Sequence, residues 1–272
     1  MVGISSPYRK VGLLHQRHRD FYNTDDPDVL VIQGATATLN PLIDAGIIAR
    51  AKKDDAEAAS AEWDGQFRSD ISALLDDDMV DDAVDLVRPL ELPRASRHRY
   101  IAFTDASAGR RDAFTLCIGH VEDENTDRER FVADVIRAVT PPFDPGVVAG
   151  EFAALCRFYG TRFITGDAYA GNWVSDAFET AGLVYRTSHL TKSQLYLEAV
   201  PHFARRVVTI TNDPKLIREL RLLERRTARS GRDSVDHPTN GNDDRANALV
   251  GCLYQALGRI DRPVPIYMLQ GR

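Results

Sequence analysis

From Tyr100 onward, short apolar runs of strand length alternate with longer runs of helical period, and this alternation restricts the fold more than any other feature. Residues 99–104 (Arg-Tyr-Ile-Ala-Phe-Thr) and 112–120 read as two strands around a Ser/Gly-containing turn at 106–111, which predicts a hairpin. Residues 128–140 fit a strand or a helix. Val148, Phe152, Leu155, Cys156 and Tyr159 recur at helical spacing over 147–159, and Gly160 follows as a C-cap signal. A strand at 162–165 then ends at Gly166-Asp167, a helix at 172–181 closes at Gly182, and a strand follows at 183–186. The spacing next predicts a helix over 192–200 stopped by Pro201, a strand at 207–210, a helix over 213–228 and an amphipathic helix over 243–257. Strands first, then helices alternating with strands, predict an α/β layered domain of ordinary size.

Upstream the pattern differs. Residues 28–33 (Asp-Val-Leu-Val-Ile-Gln) form a short apolar run between turn residues and predict a buried strand. Over 41–75 the apolar positions, Ile43, Ile47, Ile48, Ala51, Ala59, Trp63, Phe67, Ile71 and Leu74, recur mostly at three to four residues, as in helices. Asp76-Asp-Asp78 ends that stretch or opens another acidic helix. Pro89 and Pro93 mark a linker, since proline interrupts both helix and sheet. With 272 residues, 43% hydrophobic and 27% charged, the chain is globular in composition and has room for one large domain plus an appendage. Its three cysteines, Cys117, Cys156 and Cys252, are widely spaced and show no CxxC pattern, so neither a disulfide framework nor a zinc site is expected, and a reducing cytoplasm fits. The first ten residues carry no signal-type apolar run, and no run approaches the ~18 residues of a membrane span. Charge is uneven: residues 54–85 hold twelve acids against the single base Arg68, while residues 205–232 hold nine bases against three acids.

Three acidic positions sit where chemistry is usually placed. Asp105 directly follows the first strand of the α/β domain, Asp167 follows a later one, and Asp243 and Asp244 open the last helix. A carboxylate just past a strand rests on a rigid support and projects into the crevice where ligands bind open α/β sheets. Clustered carboxylates repel, and a hard dication removes that penalty. Two Mg²⁺ or Mn²⁺ ions roughly 3.5–4 Å apart activate water and stabilise the leaving oxygen of a phosphodiester. Acids without His or Cys partners therefore fit phosphoryl chemistry better than acyl transfer or zinc hydrolysis. On spacing alone each of them also reads as a turn or helix-N-terminal acid, and Asp112 as a hairpin-turn acid.

Residues 231–248 (Gly-Arg-Asp-Ser-Val-Asp-His-Pro-Thr-Asn-Gly-Asn-Asp-Asp-Arg-Ala-Asn-Ala) resemble the C-terminal signature of the large terminase subunit of tailed bacteriophages. Residues 100–107, with Arg111-Asp-Ala-Phe114, resemble that family's first nuclease strand and hairpin, and residues 164–169 its second acidic position. Residues 4–10 are similar to the segment ending its ATPase domain, and Thr38-Leu-Asn-Pro41 and residues 62–68 to its passage between domains. The resemblance implies an RNase H-like mixed sheet flanked by helices at 95–272, an acidic helical linker at 46–94 and a C-terminal remnant of an ATPase domain at 1–45. It implies a two-metal endonuclease that cuts double-stranded viral DNA concatemers during packaging in the host cytoplasm. Asp105, Asp167 and Asp244 would be catalytic metal-binding acids and Asp243 a further candidate ligand. An ATPase domain, the small terminase subunit and the portal protein would be partners.

Two departures matter. The chain has no G-x-x-x-x-G-K-[ST] phosphate loop, so no ATP hydrolysis is expected of it alone; a fragment, a split-gene product or a prophage remnant is expected. Asn242 stands where relatives often carry His. Arg218, Arg221, Arg225 and Arg229 share one face at helical spacing and, with Lys192, are candidate DNA-phosphate contacts. His237 reads as a loop histidine with local hydrogen bonds or as a partner of a carboxylate. Two rival readings remain: a catalytically silent packaging or docking module using the acidic 54–85 surface, and another RNase H-like enzyme such as a resolvase.

Overall fold

The computed structural model describes residues 2–10, 12–110, 112–167, 172–227, 232–238 and 241–258. The chain divides into two compact units, one of residues 1–73 with 224–234 and a larger one of residues 74–223 with 235–272.

The smaller unit contains α1 (Gly12–Phe21), α2 (Thr36–Leu39), α3 (Ala45–Asp54), α4 (Ala56–Trp63) and β1 (Ile71–Ala73). The helical period over 41–75 thus resolves into two helices and a strand. Asp55 ends α3 in an extended conformation and caps α4 by accepting from the Ala58 amide. Residues 28–33 form no strand, and Leu30 and Ile32 stand exposed. An apolar run becomes a strand only where a neighbour supplies hydrogen bonds, and none of the described strands pairs with it.

The larger unit follows with α5 (Asp77–Ala83), β2 (Val84–Asp85), β3 (Tyr100–Asp105), β4 (Phe114–Glu122), β5 (Arg130–Val139), α6 (Pro145–Tyr159), β6 (Phe163–Gly166), α7 (Asn172–Thr180), β7 (Val184–Thr187), α8 (Lys192–Ala204), β8 (Val208–Thr211), α9 (Pro214–Leu222) and α10 (Asp244–Leu257). Its seven strands lie in the order β2-β8-β5-β4-β3-β6-β7. The expected hairpin is present as antiparallel β3 and β4, with Tyr100 opposite His120 and Asp105 opposite Thr115. Antiparallel β4–β5 settles 128–140 as strand, and β6 and β8 join in parallel beside β3 and β5. Gly160 and Gly182 close α6 and the α7–β7 turn at φ 85 and 83.

Both faces of the sheet are covered, so its strands are apolar on both sides. Phe103, Cys117, Phe131 and Ala133 pack with α8, α9 and α10. Ala102, Leu116, Ile118 and Val135 pack with α6 and α7 on the other face. The three cysteines are free and buried, as small core residues. α10 comes close to the sheet because its contact side is small: Ala248, Gly251 and Cys252.

Two helix boundaries differ from expectation. α8 runs through Pro201 because buried His202 and Phe203 hold its last turn to the core and the Arg205 amide bonds the Pro201 carbonyl at 3.0 Å. α9 stops at Leu222, not near 228. Leu223 is fully buried in an extended conformation, and Glu224–Thr227 forms β9, antiparallel to β1 with Ile71 opposite Arg226. β10 (Asp233–Asp236) lies beyond β9 in the three-stranded order β1-β9-β10. Among the described residues no helix is long and apolar enough to cross a membrane.

Two helical glycines separate packing from propensity. A Cβ at Gly251 would stand 2.4 Å from the Phe103 ring, whereas one at Gly150, in α6, would meet nothing within 4 Å. Gly251→Ala is expected to destabilise the protein by about 1–3 kcal/mol despite alanine's better helix propensity. Gly150→Ala is expected to stabilise it by about 0.5–1 kcal/mol. Urea unfolding of both variants checks this; a neutral or stabilising Gly251→Ala contradicts the close approach of α10.

Candidate functional site

Three features of the larger unit bring carboxylates together. Asp105 is the last residue of β3 and, by strand alternation, shares the face of Phe103, toward α10. Gly251 of α10 abuts Phe103, and Asn247, one turn nearer the helix start, lies beside Asp105. The match is metrical: two strand residues span roughly 6.6 Å and four helical residues roughly 6 Å. Parallel pairing of β6 with β3, Thr104 opposite Gly166, then carries Asp167 alongside Asp105.

The result is a cavity of about 470 Å³ whose lining includes Asp105, Asp112, Asp167, Asp236, Asp243 and Asp244, together with Lys192, His237 and Asn247. Asp105, Asp167, Asp243 and Asp244, distant in sequence, therefore converge. Asp112 lines the same cavity from the hairpin turn.

Burial pushes the Asp105 carboxyl up to about 8; Asp244 and Asp243 add to this, while Asn247 and Lys192 oppose it. Asp244 is also raised, first by burial, against the Ala113 amide that donates to its Oδ2 at 3.1 Å; Asp243 and Asp112 raise it further. Asp243 is compensated. The Lys192 ammonium lies 3.0 Å from its Oδ2, and the Tyr196 hydroxyl donates to the same oxygen at 2.8 Å. Burial works against the charge of Lys192, but Asp243 and then Asp236 outweigh it and hold the ammonium above its usual range. Glu219 of α9 accepts from the Arg245 and Ala246 amides at 2.7 and 3.0 Å, so the first turn of α10 is capped from another helix. Asp243 makes no side-chain cap bond and is left to the cavity.

Several buried polar atoms here have no hydrogen-bond partner: Asp167 Oδ1, both polar atoms of Asn247, and the Tyr185 hydroxyl, which sits over Gly166 where a Cβ would collide with it. Asn247 favours the charged form of Asp105 by proximity without a well-formed hydrogen bond. Orphaned oxygens beside desolvated carboxylates, with the nearest cation engaged by Asp243, are a donor set that fits a hard divalent ion.

Sequence reasoning missed Asn247, Tyr196, Tyr185 and Glu219. For Asn247 the signal was available, because four residues after Asp243 is one helical turn on the same face. For the others nothing local points to the site. His237 bonds locally, its Nδ1 at 2.8 Å from the Pro238 carbonyl, with Nε2 3.8 Å from Asp243. The arginines expected to share one helix face do not form a stripe. Arg218 and Arg221 lie on α9, Arg225 lies on β9, and Arg229 lies outside the described residues. Arg218 is exposed, Arg221 pairs with Asp77 and Asp81, and Arg225 pairs with Asp233.

Solved structures decide the fold. The large terminase nuclease from thermophilic phage G20c matches at TM-score 0.55 and 17% identity, covering 65% of this chain and 96% of that one. The Thermus phage P74-26 large terminase nuclease domain matches at 0.55 and 16%, covering 68% and 96%. The larger unit has the RNase H-like fold of the large terminase nucleases. The HK97 bacteriophage large terminase matches at 0.54 and 13%, covering 81% of this chain and 53% of that one, so the chain spans about half of that protein. The G20c nuclease has also been solved with bound magnesium and with bound cobalt. No protein-family model matches the sequence, and no curated protein matches it.

The cavity of this terminase-type fold has a stability signature. Asp105 holds its proton up to about 8, above its ordinary 3.8, so the folded form binds it more tightly. The stabilisation is full below the ordinary value and is lost as pH rises through 8. In chelator, Asp105→Asn, which cannot ionise, should melt above the unmodified protein at pH 8, by roughly 2–4 °C for each kcal/mol of strain relieved at this size. At about pH 4 the difference should vanish. A variant that melts lower at pH 8 contradicts the electrostatic strain assigned to Asp105.

Proposed function

We propose that the chain is a metal-dependent DNA endonuclease that cuts double-stranded viral concatemers during phage packaging. The observation that carries this reading is the convergence of Asp105, Asp167 and Asp244 in one cavity, on a fold shared with large terminase nucleases. In this reading Asp105, Asp167 and Asp244 would hold hard divalent ions of the Mg²⁺ or Mn²⁺ class. When bound, such ions supply Lewis acidity, an activated water and charge stabilisation for the departing 3′ oxygen. The chain's own residues prepare this. Burial of Asp105 and Asp244 keeps their oxygens out of bulk water, and Asn247 favours the charged form of Asp105. Asp244 is the ligand of the adjacent pair, because Lys192 and Tyr196 already engage Asp243, which braces the wall.

Lys192, in the cavity beside these acids, would meet a backbone phosphate by sharing its ammonium with Asp243. Arg218 on α9 is an exposed candidate for phosphate further along the duplex; Arg221 and Arg225 would first exchange their carboxylate partners, and Arg229 completes the set from sequence alone. We further read residues 1–45 as the tail of an ATPase-type domain, 46–94 as its linker and 95–272 as the nuclease. The HK97 large terminase, which covers a larger share of this chain than the nuclease-domain structures do, supports that extension. Partners would then be a separate ATPase domain, the small terminase subunit and the portal.

Plasmid cleavage under a divalent-metal titration tests the reading. Cutting in Mg²⁺ or Mn²⁺ should stop with EDTA. Asp105→Asn and Asp244→Asn should each lower it roughly 100-fold or more, while DNA binding persists. Undiminished cutting by Asp105→Asn overturns the assignment, and a folded protein that cuts nothing in either metal supports a docking role instead.

A further inference from the structure

The far end of the β3–β4 hairpin carries a second group of metal-ligating side chains, with different chemistry. Asp105 ends β3 at the carboxylate cavity, whereas Tyr100 begins it, and His120 lies opposite Tyr100. Five residues of strand separate these ends, roughly 17 Å. His120 and Glu122, two apart on β4, share a face, and the ring of His98 packs on that of His120 with centroids 3.8 Å apart. One ligand atom from each of His98, His120 and Glu122 lies within 4.8 Å of the others.

We propose that His98, His120 and Glu122 form a binding site for a borderline divalent transition ion of the zinc class. His120 is the anchor. Its ring is 3% exposed, its Nδ1 lies 2.6 Å from Asp134 Oδ2, and its Nε2 is buried without a hydrogen-bond partner. A carboxylate on one imidazole nitrogen orients the ring and makes the other nitrogen a better ligand. Nitrogen donors favour zinc-class ions, while the carboxylate-rich cavity at the other end suits magnesium or manganese. Ligand atoms at zinc–nitrogen lengths stand roughly 3.3 Å apart, so the set closes once the His98 ring swings off the face of His120, and a fourth position is left for water.

Neighbouring groups set the terms. Glu122 Oε2 is held by Arg130 at 2.6 Å, while Oε1 faces His120 Nε2 at 3.7 Å and is the oxygen available to an ion. The Arg97 side chain donates to His98 Nε2 at 3.1 Å and must swing aside or leave Nδ1 as the donor. A bound ion would tie the segment ahead of β3 to the end of β4, clamping the hairpin opposite its acidic end.

Chelator-stripped full-length protein, titrated with Co²⁺ in excess Mg²⁺ so that the oxygen cavity is filled, tests this. The visible absorption of a four-coordinate nitrogen-containing Co²⁺ site should saturate at one equivalent per chain, apart from the weak absorption of any Co²⁺ in the carboxylate cavity, and Zn²⁺ should abolish it. His98→Ala and the nearly isosteric Glu122→Gln should each abolish that absorption or weaken binding at least ten-fold, with the circular dichroism spectrum unchanged. Both contacts are partly exposed, so neither change empties the core. The proposal is overturned if no such absorption develops, or if both variants bind Co²⁺ as the unmodified protein does. Neither readout depends on DNA cleavage, so failure here and failure of the endonuclease reading are separable.

Discussion

Carboxylates held out of water at the head of α10 repel one another, and the surrounding structure is organised to keep them there. The isolated cost of such a group is large unless it is paired, protonated or bound to a cation. Two devices reduce it. The partial positive charge of a helix N-terminus faces the cluster. Lys192 and Tyr196 compensate Asp243. Glu219 satisfies the first amides of α10 from α9, which frees Asp243 and Asp244 from capping without lowering their repulsion. What stays only partly compensated is the pair Asp105 and Asp244, both with carboxyls raised above their ordinary range despite Asn247 and the Ala113 amide. The residual strain sits where a dication would relieve it.

That arrangement depends on how closely α10 approaches the sheet. Gly251 against Phe103 fixes the separation, and the near equality of one helical turn and two strand residues then puts Asn247 at Asp105. A bulkier contact side would lift the helix head off the strand end, and the carboxylates would face separate volumes of solvent. The parallel β3–β6 pairing supplies the third acid by register rather than by side-chain packing. Site geometry here follows from backbone spacing, and for this reason residues far from the cavity govern it.

The larger unit was largely legible in the sequence because its elements are strongly periodic and its helices end at glycines that need positive φ, as at Gly160 and Gly182. Asp105, Asp167 and the Asp243–Asp244 pair were legible because strand ends and helix starts are readable positions. The strand expected at 28–33 failed because pairing is a tertiary property that an apolar run does not carry. The helix expected to reach 228 failed for a related reason. Residues 224–227 have a partner in β1, and strand pairing there overrides the helical spacing of the arginines. Glu219 and Tyr196 were invisible because a cap or a brace supplied across the fold leaves no local mark.

The contrast between an acidic run at 54–85 and a basic run at 205–232 pointed toward partners of opposite charge, and the structure assigns part of it to the fold itself. Within the larger unit, Asp77 and Asp81 of α5 engage Arg221, and Asp82 engages Arg206. Within the smaller unit, Arg68, the single base of the acidic run, pairs with Asp70 and Asp55, and Lys52 with Asp64. Exposed pairs of this kind add little stability, but they compete with any phosphate that approaches the same arginines. The net gain from Arg221 or Arg225 is the difference between a phosphate contact and a carboxylate contact. Among the described residues Arg218 is exposed and makes no ion pair, while Arg206, Arg221 and Arg225 on either side of it are paired, so the basic run is not uniform.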